Sequence, residues 1–348
     1  MVFFSPVEAT NSALTIDAHE YTLGTWLDEW LRLCVLRGLR PTSVESYRTM
    51  ISLYVPADLS SADVRSVRPQ HLNTLYGWML SEGRRDGRGG LSPRTVRFLH
   101  TILQKSFTDA VRLGILDRNP AQAADPPSRR ATRSPIFSTW SPSELRLFLL
   151  SARADEHYAA FHLAAATGLR RGELLGLRWC DLDFERGQLR VIQTVVVVRG
   201  QVGIGLPKTD RSRRVVALDK QTVAVLREHR RATVARYGVE HRRLDEQGLV
   251  FVSPDGGPIH PALFTYYFRR RVRASGVRKI RLHDLRHTHA THALQAGVHP
   301  KIVSERLGHS TIAITLDIYN HALPSMQREA AEAVAALLAD DRVEDDVS

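Results

Sequence analysis

The chain has 348 residues, 43% hydrophobic and 24% charged, values that suit two soluble globular domains and exclude a largely disordered chain. No apolar run approaches the roughly 20 residues of a membrane span, and MVFFSPVEATNSALTIDAHE lacks the basic stretch that opens a secretory signal. The net charge is +11; the excess lies within residues 21–320, the two ends are acidic, and the balance favours a polyanionic partner, most simply nucleic acid.

Residues 1–20 read as an N-terminal extension, with disorder expected. From 21 to 120 the pattern is helical. TLGTWLDEWLRLCVL puts Leu23, Trp26, Leu27, Trp30 and Leu31 on one stripe. A second helix is expected from Thr42, with Thr42 and Glu45 as a capping box after Pro41. A third covers about Pro69 to Glu82. After the glycine-rich GRRDGRGG, a fourth starts at Ser92 with Pro93 in its first turn and runs to Gly114. Residues 121–140 carry no apolar period and read as a linker, whose Arg129, Arg130 and Arg133 would suit a strap along a phosphate backbone.

A new domain, 141–324, opens on Ser141-Pro142-Ser143-Glu144, a capping box with proline at the first helical position. Helices follow to about Trp179. QLRVIQTVVVV (188–198) and RRVVALD (213–219) read as a strand pair around a Gly/Lys/Arg turn. Helices are expected over 219–237, 260–275, 283–296, 300–307, 311–320 and 325–339. The fold class is therefore mostly α with a small antiparallel β-sheet: an all-helical first domain, then an α+β second domain. The tail helix within 325–348 has an apolar stripe of Met326, Ala330, Val334, Leu337 and Leu338. Cys34 and Cys180 are the two cysteines, far apart, which excludes a disulfide framework or a four-cysteine metal site and fits a reducing cytosol.

Four blocks carry chemistry. TGLRRGELLGLRW holds Arg170 after a Gly-Leu turn and Glu173 one turn later. GLPKTDRSRRVVAL holds Lys208, one of only five lysines among 48 basic residues; a lysine can donate a proton where arginine cannot. LHDLRHTHATHAL puts His283 and Arg286 on one helix face. LGHSTIAITLDIYNH places Tyr319 ten residues after His309. Converging arginines, histidines and a lysine make a phosphodiester site, because guanidinium forks match phosphate oxygens and neutralise charge built in the transition state. With no Asp/Glu cluster to hold magnesium, a side-chain nucleophile is expected, and a tyrosine phenol can form a phosphoryl ester. Each residue has a plainer reading: Arg170 as a solvated arginine, Lys208 as a turn lysine, Tyr319 as a half-buried core residue, Tyr266 and Tyr267 as rival tyrosines. His287, His289 and His292 read as packing or capping groups, with His287 a candidate to line the site. HDLRH also spaces His283 and His287 as a zinc hydrolase helix would, but Asp284 replaces the catalytic glutamate and Arg286 would sit beside the metal.

Taken together, over about residues 21–325, these blocks resemble the tyrosine recombinase family, the phage-type integrases. Arg170, Lys208, His283, Arg286, His309 and Tyr319 match its catalytic pattern in order, and Glu173 its acidic position. SPRTVRFLHTILQKSFTDAV and RNPA are similar to its core-binding domain. The resemblance implies a SAM-like core-binding domain over 21–120 and a catalytic domain over 141–324. It implies Tyr319 as the nucleophile forming a 3′-phosphotyrosyl bond, Arg170 and Arg286 as transition-state stabilisers, and Lys208 as the donor to the leaving 5′-oxygen. His283 would be general acid/base, His309 a hydrogen-bond donor to a non-bridging oxygen, and Glu173 an orienting group. It implies no metal and no cofactor. Duplex DNA is the expected partner, contacted by candidates Arg94, Arg97, Arg129, Arg130, Arg133, Arg211, Arg213 and Arg214. A homo-tetramer in the synaptic complex is expected, with a monomer or weak oligomer free in solution, tail exchange between protomers, accessory DNA-bending or directionality proteins, and a cytoplasmic location without membrane contact. The short acidic extension is too small for the arm-binding domain of many mobile-element integrases. An Xer-like resolvase of the same family is the alternative, and type IB topoisomerases share the chemistry.

Overall fold

The computed structural model describes residues 21–128, 130–131, 138–206, 213–237, 248–309, 311–313, 315–316, 331–332 and 334–335. The chain divides into two compact units, parting at Ile136 and Phe137, with the three residues Val198–Gly200 grouped with the first.

In the helical unit, α1 (Leu23–Leu36) is capped by the Thr22 hydroxyl, which accepts from the Thr25 amide at 3.2 Å. The expected apolar stripe is its buried face. Helix α2 (Pro41–Tyr54) starts one residue earlier than expected, and no side chain caps it. Pro41 takes the first helical position and has no N–H to cap, so Arg40 becomes the cap residue and Thr42 lies inside the first turn. A short helix, α3 (Ala57–Ser61), precedes α4 (Pro69–Ser81). Helix α5 (Pro93–Arg112) opens on Ser92, whose hydroxyl accepts from the Thr95 amide at 3.2 Å. Trp26, Trp30, Tyr76 and Phe107 fill the core, and the buried Tyr76 hydroxyl pairs with His100 Nδ1 at 3.0 Å. Ala121 and Ala124 join this core through the 3-10 turn Pro120–Ala123. The stretch read as linker from 121 is thus partly docked: small alanines fit a close helix packing without showing an apolar period.

The other unit begins earlier than 141. Trp140 is buried and donates from Nε1 to the Arg278 carbonyl at 2.7 Å. Helix α6 (Pro142–Ser151) has the expected capping box, with the Glu144 amide donating to Ser141 Oγ at 3.1 Å and the Ser141 amide to Glu144 Oε2 at 2.8 Å. Then come α7 (Tyr158–Thr167), α8 (Arg171–Leu175), strands β1 (Leu182–Asp183), β2 (Gln188–Val191), β3 (Thr194–Val198), β4 (Gln201–Gly205) and β5 (Arg214–Ala217), and α9 (Lys220–Tyr237). Three more helices are α10 (Pro261–Ser275), α11 (Asp284–Gln295) and α12 (Pro300–Leu307). Trp140 packs on Phe148 and Phe268 in the core, and Phe161 and Phe264 extend the same aromatic cluster. Residues 312–313 and 315–316 are helical, as are 331–332 and 334–335; the rest of the helices expected at 311–320 and 325–339 lies outside the described residues.

The expected single strand over 188–198 is two strands. Strand β2 pairs antiparallel with β5 in a sheet of order β1-β2-β5, whereas β3 turns back on β4. Arg199 and Gly200, at φ 50° and 76°, make that turn. Two consecutive left-handed residues form the tight hairpin whose twist suits paired strands, so the chain reverses at RG, ahead of Lys208.

Candidate active site

Two glycine turns frame the site. Gly168 ends α7 and Gly308 ends α12, both left-handed at φ 65°. A side chain at Gly168 would meet the Leu307 side chain at 2.5 Å, and one at Gly308 would meet Arg214 Nη1 at 2.9 Å. Both turns are therefore closed over neighbours that leave no room for a Cβ.

The two arginines of the sequence motifs span these turns. Arg286, 4% exposed, donates from Nη1 to the Gly168 carbonyl at 2.9 Å and from Nη2 to the Leu307 carbonyl at 2.7 Å. Arg170 donates from Nη2 to the Gly308 carbonyl at 2.7 Å and from Nη1 to Glu173 Oε1 at 2.7 Å. Burial, then the charge of Arg170, lower the Arg286 guanidinium to about 9, still protonated at neutral pH. Arg170 is the more open of the pair, its side chain 37% exposed. Glu173 is buried and its carboxylate also accepts the Arg170 amide at 3.0 Å, so it fixes both the backbone and the side chain of Arg170. Burial alone would raise this carboxyl, but the hydrogen bond and charge of Arg214, then the charge of Arg170, outweigh it and hold it below the usual range.

The histidines belong to the same place. His283 precedes α11, one turn from Arg286; burial and then the charge of Arg286 lower its imidazole. His309 follows Gly308, its Nδ1 is 2.7 Å from Thr315 Oγ1, and burial with the charges of Arg286 and Arg170 pushes it to about 3. His287 meets the His283 ring edge-on, with centroids 5.1 Å apart, and burial pushes it to about 4. It is next to the site, as expected. His289 packs with Nδ1 3.1 Å from the Ala165 carbonyl, and His292 with Nε2 2.9 Å from the Trp140 carbonyl. Among the described residues no three His, Cys, Asp or Glu side chains are grouped to hold a metal ion. The site thus presents guanidinia beside imidazoles whose pKa values are lowered, which suits an anionic ligand and proton transfer to nitrogen.

Lys208 and Tyr319 lie outside the described residues, as do Arg129, Arg133 and Arg211. Arg94, Arg130 and Arg213 are exposed, in keeping with a surface role. Arg97 is half-buried and donates to the Pro127 carbonyl at 2.5 Å, which ties α5 to the following segment. Arg214 differs from the expectation of a DNA-facing arginine. Its side chain is 6% exposed, with Nη2 2.9 Å from Glu173 Oε2 and Nε 2.6 Å from the Arg306 carbonyl. The strand period held the signal: Arg214 shares a face with buried Val216, while Val215 is 56% exposed. Arg306 is a second missed residue, donating to the Ala217 and Ala166 carbonyls at 2.9 and 3.1 Å and so joining β5 and α7 to α12.

Residues 146–326 match the model of the phage integrase family. A tyrosine recombinase XerC-like protein of Caldanaerobacter subterraneus subsp. tengcongensis is 29% identical over 337 residues, spanning 92% of this chain and 84% of the relative. The ICEBs1 integrase of Bacillus subtilis is 27% identical, spanning 90% of this chain and 83% of its own length. The fold is shared with the Tn1549 transposon integrase in complex with a circular intermediate DNA, at TM-score 0.70 and 21% identity over 90% of this chain and 100% of that one. It is shared as well with a lambda integrase dimer bound to a COC′ core site, at TM-score 0.62 and 19% identity over 86% and 78%. With the ordered motifs and the arginine-histidine site, these likenesses lead to one conclusion: the chain belongs to the phage integrase family, an enzyme of the tyrosine recombinase/integrase type.

Proposed function

We propose that the chain is a site-specific recombinase that cuts and rejoins duplex DNA through a 3′-phosphotyrosyl intermediate and a Holliday junction, for integration or excision of a phage or integrative element. The observation that carries this reading is the meeting of Arg170, Arg286, His283 and His309 around the Gly168 and Gly308 turns. Tyr319 attacks the scissile phosphorus, and the bond to the 5′-oxygen breaks. Neutral His283 takes the phenolic proton, and Lys208 gives one to the leaving oxygen. Arg170 and Arg286 gain in strength as charge builds on the non-bridging oxygens. His309 hydrogen-bonds one of them. The phosphotyrosine keeps the bond energy, so a new 5′-hydroxyl can displace it without ATP.

The helical unit serves as the core-binding half, with Arg94 and Arg130 on the DNA backbone. The site needs only duplex DNA as partner for cleavage; a tetramer, with the 325–348 tail passed between protomers, performs strand exchange in the cytoplasm. Lambda integrase, which shares the fold, is seen as a dimer on a core site and as a tetramer on a Holliday junction, and this supports the DNA-bound tetramer. The XerC-like relative favours one second reading, an Xer-like resolvase of the same family. A nicked suicide substrate carrying the element ends, without metal, tests the proposal. The expected result is a protein–DNA adduct that survives SDS and EDTA and is missing with Tyr319→Phe. Cleavage that requires added zinc or magnesium overturns it.

A further inference from the structure

Among the described residues of the second unit, three Arg-x-x-acid pairs in which the arginine amide donates to the acid differ in side-chain geometry. In Arg178–Asp181 and Arg281–Asp284 the arginine amide donates to the acid, and the guanidinium folds back with Nε and Nη2 both on the carboxylate. One acid is met by one arginine, and the pair is electrically closed. In Arg170–Glu173 the amide bond is the same, yet the guanidinium spends only Nη1 on the carboxylate and sends Nη2 to Gly308. Two things differ: the acid is a glutamate, one methylene longer than the aspartates, and Arg214 shares it. Arg214 donates from Nη2 to Glu173 Oε2 at 2.9 Å and from Nη1 to Oε1 at 3.3 Å.

We propose that Arg214 is a positioning residue: by taking a share of the Glu173 charge it keeps Arg170 from folding onto Glu173 and leaves it turned toward a DNA phosphate. The proposal rests on the recombinase reading. Arg214 is itself too deep to meet DNA, at 6% side-chain exposure, with the Gly308 turn closed over its guanidinium. Three successive carbonyls at the end of α12 hold the arginines apart: Arg306 accepts from Arg214, Leu307 from Arg286 and Gly308 from Arg170. A helix C-terminus carries partial negative charge and favours cations there. Among the described residues one carboxylate, Glu173, meets Arg170 and Arg214 while Arg286 is held by carbonyls, an arrangement that suits a phosphate and its transition state.

The test uses the full chain on a nicked suicide substrate, comparing wild type, Arg214→Gln, and Arg214→Gln combined with Glu173→Gln. At saturating DNA, Arg214→Gln is expected to slow adduct formation about 100-fold, the scale of one lost transition-state donor. The DNA concentration for half-saturation should change less than about 3-fold, since Arg214 makes no phosphate contact. Adding Glu173→Gln removes the competing charge and should restore at least about 10-fold of the rate, a coupling that a merely structural role would not give. If Arg214→Gln alone fails to fold, the double variant, which removes the buried acid together with its partner, is compared with wild type: a rate within about 10-fold of wild type is expected, and one about 100-fold lower overturns the proposal. A double variant no faster than the single one, or a single variant that loses DNA affinity at unchanged rate, overturns the proposal. A wild type that forms no adduct overturns the recombinase reading itself, a result distinct from either.

Discussion

The two units solve different physical problems. The helical unit buries aromatic and aliphatic side chains with a few neutral polar groups, Tyr76, His100 and Asn119 among them. Its ion pairs lie at the surface, such as Arg32–Glu29 and Arg84–Asp86, where each is worth little. The second unit buries ionised groups: Glu173, Asp181, Asp284 and Arg286 are 4% exposed or less. Burying charge costs stability unless every lone pair and proton is met. Buried charge alone does not mark the site, because Asp181 and Asp284 are matched one to one by neighbouring arginines. What marks it among the described residues is sharing, two guanidinia on the one carboxylate of Glu173.

Removing Arg286 should break that comparison most severely. Arg286→Ala leaves the Gly168 and Leu307 carbonyls without their donor and deletes the transition-state contact proposed for this arginine. Adduct formation should fall by about 1,000-fold or more, with a loss of about 3 kcal/mol in denaturant unfolding. The next effect is on pH. His287, His289 and His309 are held near 4, 4 and 3, chiefly by burial. Their folded values lie below the unfolded value of about 6.5. The unfolded chain therefore binds more protons, and stability is full above pH 6.5 and lost as pH falls toward 4. Each should cost about 1–2 kcal/mol between pH 7 and 5, read by urea titrations at the two values. Of the helical unit's histidines, His100 is lowered, also by burial, so the second unit should melt first in acid. Gly308→Ala comes third: a Cβ in a left-handed turn against Arg214 should cost about 1–2 kcal/mol and slow adduct formation beyond what the lost stability explains. Ser92→Ala, the smallest, removes the α5 cap. About 1 kcal/mol should be lost from the helical unit by thermal melting, with the adduct rate at saturating DNA unchanged.

Much of this was legible in the sequence because it is encoded locally. Ser92-Pro93 and Ser141-Pro142 with Glu144 announce helix starts, and structure places caps at those residues. The spacing of His283 and Arg286 keeps the two together, although His283 is the cap residue just before α11 and not part of the helix. What escaped reading depends on contacts across the chain or on competition between local signals. Proline at the first position of α2 displaced the Thr42 cap. A left-handed Arg199-Gly200 pair split a run of β-branched residues that looked continuous. Ala121 and Ala124 are buried only because α4 and α5 approach there. Arg214 was read by its charge and not by its strand period, because arginines next to a lysine turn suggest solvent. Its partner Glu173 lies 41 residues away in sequence.

The ties across the two glycine turns bear on when the enzyme becomes dangerous to DNA. Arg170 reaches a carbonyl 138 positions away and Arg286 one 118 positions away. Such contacts form only after long loops have closed, late in folding. A nascent or partly unfolded chain holds neither arginine in place. The capacity to nick a chromosome is thus withheld until the whole second unit has assembled, a safeguard that needs no inhibitor.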